Sequence, residues 1–358
     1  MIRLGASDLY ITVDSAPGFR IGENISNISD SKLTNQQIQD MFLMILDSDQ
    51  INQFYKDREL NCAIELPDIG RFRLNLFMQR QHPGAVFRHV RSDIPTCEEL
   101  GLPEIFKSLI MKKRGLIIIA GQTGSGKTST MAAMLGHRNR EGSGHIITVE
   151  DPIEFVHQHD KCIITQREVG IDTSTFNVAL ANALRQKPDV IAIGEIRYRD
   201  TVEHAMRFAR TGHLCIATLH AENSVQSIER LTGFFDADLR GQILNNLSNL
   251  LTAVVSQRIV TATNGTRSIV TEVMLNQGYI TTLISEGKFS EMHGVMEKSA
   301  DQGMHTFDHC LLNMYRAGKI NADTAINEAD NIANVKMAIK LGSSNAGGFN
   351  NGSSAFTS

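Results

Sequence analysis

The stretch GLIIIAGQTGSGKTSTMAAML, residues 115–135, constrains this chain more than any other. Leu116 to Ala120 form a short apolar strand, and a helix-forming run of Met, Ala and Leu follows the turn. Between them Gly121, Gln122, Thr123, Gly124, Ser125, Gly126, Lys127 and Thr128 match G-x-x-x-x-G-K-[ST], with Ser129 extending the loop into the helix. Glycines let backbone N–H groups turn toward phosphate oxygens, and the helix N-terminus adds partial positive charge. Lys127 is expected to reach the β- and γ-phosphates, and the Thr128 hydroxyl to ligate Mg²⁺. Strand before and helix after are the context that separates this motif from a chance Gly-rich turn, so the expected ligand is ATP with Mg²⁺.

The rest of the composition says what the nucleotide serves only by exclusion. At 358 residues the chain has room for two domains. A net charge of −4 and a pI of ≈ 6.3 argue against a dedicated nucleic-acid binder, which would carry a basic stripe. No apolar run is long enough to span a bilayer, and MIRLGASDLYITV lacks the basic head and long apolar core of a secretion signal. Five scattered cysteines, never spaced C-x-x-C, read as reduced thiols of a cytosolic protein rather than a zinc framework.

Alternating apolar runs over residues 7–92 (SDLYITV, FRIG, CAIEL, GRFRLNLFMQ, AVFRHV), with helical spacing at Ile38, Met41, Phe42 and Ile45, predict a small α+β domain over 1–92. A turn-rich passage over 93–104 reads as a linker. From 105 to 341 the apolar strands LIIIA, HIITV, DVIAIG and LCIATL alternate with helices, which predicts an α/β domain with a parallel sheet. Asn264-Gly265 signals an added hairpin, and the Gly/Ser/Asn-rich end over 342–358 is expected to be a disordered tail.

Ligands of open parallel sheets sit outside the carboxyl ends of the strands. HIITV ends in Glu150-Asp151, DVIAIG in Glu195-Ile196-Arg197, and LCIATL in His220. Glu195 suits Mg²⁺ or its waters and reaches far enough to act on the attacking water. Glu150 is a second candidate for that water, and which of the two is the general base stays open. Arg197 is a candidate for charge stabilisation, and His220 for sensing the γ-phosphate, with His213 at the other end of its strand.

Taken in order, GQTGSGKT, ITVEDPIE, ALRQKPDVIAIGEIR and TGHLCIATLHAENS resemble the secretion-superfamily ATPases, and more narrowly the type IV pilus retraction ATPases of the PilT/PilU branch. ASDLYI, GRFRLN and IPTCEELGLPEIFK extend the resemblance over nearly the whole chain, although it begins several residues later than such proteins do. The resemblance implies a RecA-like P-loop NTPase domain preceded by a PAS-like domain, and a cytoplasmic homohexamer peripheral to the inner membrane at the pilus base. It implies docking on the inner-membrane platform protein and pilin disassembly, and arginines of the first domain, by position Arg71, Arg73 and Arg88, completing the nucleotide site. The tetracysteine insert of many pilus-extension relatives is absent. Thr281 and Ser285 in YITTLISEGK stand where principal retraction ATPases carry arginines, Ala181 stands where relatives often have a basic residue, and FSEMHGVMEKSADQGMHTFD resembles the accessory subfamily. The expected function is thus ATP-driven pilus retraction alongside a principal retraction ATPase. A weakly hydrolysing regulatory subunit and a DNA-dependent RecA-like ATPase are the alternatives.

Overall fold

The computed structural model describes residues 1–346 other than 23 and 68, and side chains through residue 341. The chain divides into two compact units, the first made of Met1–Ile94 with Ile153–His157 and Gly170–Asp172, the second of the remainder.

In the N-terminal unit, β1 (Asp8–Ile11), β2 (Gly18–Ile21) and β3 (Asn24–Asn27) precede α1 (Asn35–Ile45) and α2 (Ser48–Asp57), and β4 (Glu59–Leu66), β5 (Gly70–Gln79) and β6 (His82–His89) follow. The sheet order is β3-β2-β1-β6-β5-β4, antiparallel throughout. Both helices start on reciprocal capping boxes, Thr34 with Gln37 and Asp47 with Gln50. Alternation along β5 buries Phe72, Leu74 and Leu76 against Ile38, Phe42 and Phe54, the last two meeting edge to face at 5.6 Å. The α+β reading holds, with β3 and α2 added to the elements legible in the sequence.

In the larger unit, α3 (Ile105–Ile110) leads into β7 (Gly115–Ala120), α4 (Lys127–Glu141), β8 (Gly144–Glu150), β9 (Cys162–Glu168), α5 (Phe176–Ala183), β10 (Val190–Ile193), α6 (Arg199–Arg210) and β11 (Leu214–Leu219). Then come α7 (Ser224–Gly233), α8 (Arg240–Leu250), β12 (Leu251–Thr261), β13 (Arg267–Leu275), α9 (Tyr279–Glu286), α10 (Met292–Lys298), α11 (Phe307–Arg316), α12 (Ala322–Asn327) and α13 (Ile332–Ala346). The sheet order is β13-β12-β7-β11-β10-β8-β9. Only β13 runs antiparallel, through the hairpin turned at Asn264-Gly265. The parallel strands are apolar runs because helices cover the sheet: Leu116 to Ala120, Val190 to Ile193 and Leu214 to Ala217 are inaccessible to solvent. This is the α/β, RecA-like arrangement expected, with β11 inserted between β7 and β10.

Cys97 and Leu102, from the passage read as a linker, are buried in the larger unit's core. Phe307 and Leu311 of α11 pack with Val260, Val270, Val335 and Ile339 in a smaller cluster, so that helix face is core. The first five residues of the expected tail continue α13, and 347–358 lie outside the described residues. All five cysteines are free thiols.

Candidate active site

The loop between β7 and α4 has the shape its glycines dictate. A Cβ on Gly121 would fall 2.3 Å from Ser125 Oγ and 2.7 Å from the Gln257 carbonyl oxygen, and Gly126, which precedes α4, sits at φ 87°. The loop therefore closes on itself only with glycine at both places. Lys127 is 9% exposed, and its ammonium donates to the carbonyls of Gly121 and Gln122 at 2.8 and 2.9 Å. Those bonds hold the positive charge within the loop. Ser125 Oγ is buried without a hydrogen-bond partner in a cradle that a Cβ would fill, and both features fit a phosphate group.

The parallel order brings the other expected groups to the same edge. His220 follows β11, between the loop strand and the strand that delivers Glu195. Glu195 accepts from His220 Nε2 through Oε1 at 2.8 Å and from Arg197 Nε through Oε2 at 2.5 Å. Arg197 also reaches Asp151 Oδ2 at 3.5 Å. Burial and the Lys127 ammonium hold the His220 imidazole below its ordinary value, Arg230 and Arg197 act the same way, and Glu195 opposes them. The neutral ring is favoured, with its Nε2–H on Glu195. The hydrogen bond to Glu195 keeps Arg197 firmly charged.

Glu150, at the end of β8, is 6% exposed and accepts from Thr148 Oγ1 at 2.6 Å and Gln166 Nε2 at 3.2 Å. Gly194 permits this packing: a Cβ there would stand 3.1 Å from the Glu150 Cα. The two candidate bases thus differ, Glu150 locked among hydroxyl and amide donors and Glu195 shared between a histidine and an arginine. His213, at the opposite end of β11, bonds Thr211 and takes no part.

Among the described residues no cluster of three His, Cys, Asp or Glu could hold a metal ion. Thr128 and Glu195 are hard oxygen donors, and they suit Mg²⁺, which takes one or two protein ligands and fills its shell from phosphates and water. Of the arginines in the N-terminal unit, Arg88 Nε donates to Asp8 at 2.8 Å, Arg73 stands opposite Arg88 across β5 and β6, and Arg71 opposite Glu65.

The sequence reading missed Gln257, whose side chain donates from β12 to the Ser125 carbonyl at 2.6 Å and braces the loop from outside. A glutamine 132 residues away within an apolar strand carries no motif. It also missed Glu222, which accepts from Gln122 at 3.3 Å. Gln122 and Thr123 line two clefts, one of about 570 Å³ walled by Gln257, Arg258 and Asp330, the other of about 620 Å³ walled by His220, Glu229 and Arg230.

A lysine-centred phosphate cradle at the carboxyl edge of a parallel sheet, faced by acidic strand ends, defines a P-loop nucleotide hydrolase. A family model described as Type II/IV secretion system protein matches residues 56–309, and the chain belongs to that family. It is 46% identical over 344 residues to the type IV pilus ATPase PilU of Pseudomonas aeruginosa, covering 96% of this chain and 90% of that one. With PilT of the same organism it shares 38% identity over 325 residues, 91% of this chain and 94% of that one. A crystal structure of the pilus retraction motor PilT with bound ADP superposes with a TM-score of 0.87 at 35% identity, covering 94% and 96% of the two chains.

Proposed function

We infer that this chain is an ATP-hydrolysing motor protein of a type IV pilus system and that it serves pilus retraction in twitching motility, in the accessory role of PilU. The observation that carries the reading is Glu195 held between His220 and Arg197 beside the Lys127 cradle, in a chain so similar to PilU and PilT. Lys127 and the loop amides bind the phosphates, with Gly121 to Ser129 forming the cradle. Thr128 and Glu195 would hold Mg²⁺, which would neutralise phosphate charge. Glu195 or Glu150 orients the attacking water, and Arg197 stabilises developing charge. His220 keeps the Glu195 carboxylate in place and reports phosphate occupancy. Arg71, Arg73 and Arg88 are further candidates for nucleotide recognition.

Work follows because a nucleotide shifts a conformational equilibrium by its differential contacts in the two states. The active assembly is a homohexamer on the inner-membrane platform protein, partnered by a principal retraction ATPase. Among the described residues no helix is long and apolar enough to cross a membrane. Placement at the pilus base, through protein contacts, is part of the same proposal. Replacing the gene by a Lys127→Ala allele tests this in cells, with and without the principal ATPase. Retraction under load should fail or weaken. Normal retraction would remove the motor role, and normal retraction with purified protein unable to turn over ATP would favour the regulatory subunit instead.

A further inference from the structure

The β12–β13 hairpin grips the active site twice. Gln257 of β12 holds the phosphate cradle, and Glu272 of β13, in register with Ser256, holds the start of α7. Glu272 is 2% exposed. Its Oε1 accepts both the backbone N–H and the hydroxyl of Ser224, each at 2.7 Å. A buried carboxyl group is costly unless its hydrogen bonds are made. Burial pushes Glu272 above the usual carboxylate range, while the two Ser224 bonds pull it back, and Asp330 and His293 are the other charges it feels.

What these bonds secure is the turn over residues 220–223. The ladder between β11 and β7 ends with Leu219 opposite Ala120. From there the turn carries His220 to Glu195 and Glu222 to Gln122, and Asn223 then caps α7 by accepting from the Gln226 N–H at 2.9 Å. Ser224 is the next residue, so Glu272 pins the far end of the segment whose near end is the last ladder pair. The sheet fixes one side of His220 and Glu272 fixes the other.

We propose that Glu272 is a positioning residue for ATP hydrolysis: through Ser224 it fixes the turn that sets where His220 meets Glu195. This rests on the reading of His220 and Glu195 given above. The test measures kcat, affinity for a fluorescent ADP analogue and circular dichroism on the full chain carrying Glu272→Ala, Glu272→Gln, Ser224→Ala, His220→Ala, or Glu272→Ala with His220→Ala. Glu272→Ala should lower kcat about tenfold, since small misplacements of a reacting group are costly, while ADP affinity stays within about threefold. Glu272→Gln keeps an oxygen that accepts both bonds and should restore most of the turnover. The double variant should be no slower than His220→Ala alone, because both changes act through one imidazole. If Glu272→Ala does not fold, Ser224→Ala, which deletes one donor, carries the test with a smaller kcat loss in the same pattern. Fully multiplicative losses, a Glu272→Gln variant as slow as Glu272→Ala, or ADP affinity falling in step with kcat would overturn the proposal. Wild-type turnover in His220→Ala would instead overturn the role assigned to that histidine.

Discussion

In the N-terminal unit β5 runs antiparallel to both its neighbours, so strand starts and strand ends alternate along each edge. In the larger unit six strands run the same way, so Ala120, Glu150, Ile193 and Leu219 all finish at one edge. The first arrangement spreads its charged groups over a sheet face, where Arg73 and Arg88 stand side by side and Arg88 is drawn to Asp8. The second concentrates them where a helix N-terminus also points. Direction of strands, more than the residues available, decides which sheet can build a phosphate-cleaving centre.

The largest expected effect tests that division at its centre. Lys127→Ala removes the charge that the loop carbonyls hold in place and should lower ATP turnover at least ~10²-fold in the purified protein, by analogy with deleting a preorganised electrostatic donor. Retained turnover in a phosphate-release assay would place the chemistry elsewhere. A smaller effect is expected from the N-terminal unit: Arg73→Ala should slow turnover about tenfold if that sheet supplies charge to the nucleotide. Unchanged kcat and KM would sharpen the contrast by confining the chemistry to the larger unit.

The smallest effect is one the two units share. Burial holds His157, in the N-terminal unit, and His305, in the larger one, down to about 4. The unfolded chain takes up those protons near pH 6.5, so the stability each neutral ring contributes is complete above that pH and is lost as pH falls toward 4. The unfolding temperature should drop over that window, and His157→Gln or His305→Gln should each flatten part of the drop. An unaltered acid profile in both variants would show that burial of these rings is not its source.

The sequence was most legible where function is local. The loop from Gly121 to Thr128 is contiguous, and the polar groups after HIITV, DVIAIG and LCIATL each announce themselves at the end of an apolar run. The family resemblance rested on the same stretches, and the similarity to PilU and PilT bears it out. Less legible was anything set by pairing across the fold. β9 reads CIITQRE, with Ile163 exposed, and its alternation is too short and polar to stand out. The β5–β6 turn uses Arg80 and Gln81, both at positive φ, where sequence signals call for Asn or Gly. Gln257 and Glu272 look like polar interruptions of apolar strands, and only the hairpin's placement beside the loop and α7 makes them part of the site.

The most direct test of this account is ATP turnover by purified Glu195→Gln, measured by phosphate release alongside nucleotide affinity. The amide keeps the side chain's shape but loses the charge that pairs with Arg197 and that the proposed function assigns to Mg²⁺ or the attacking water. The account predicts retained binding of ATP with hydrolysis lowered at least ~10²-fold. Turnover near that of the unaltered protein would contradict it.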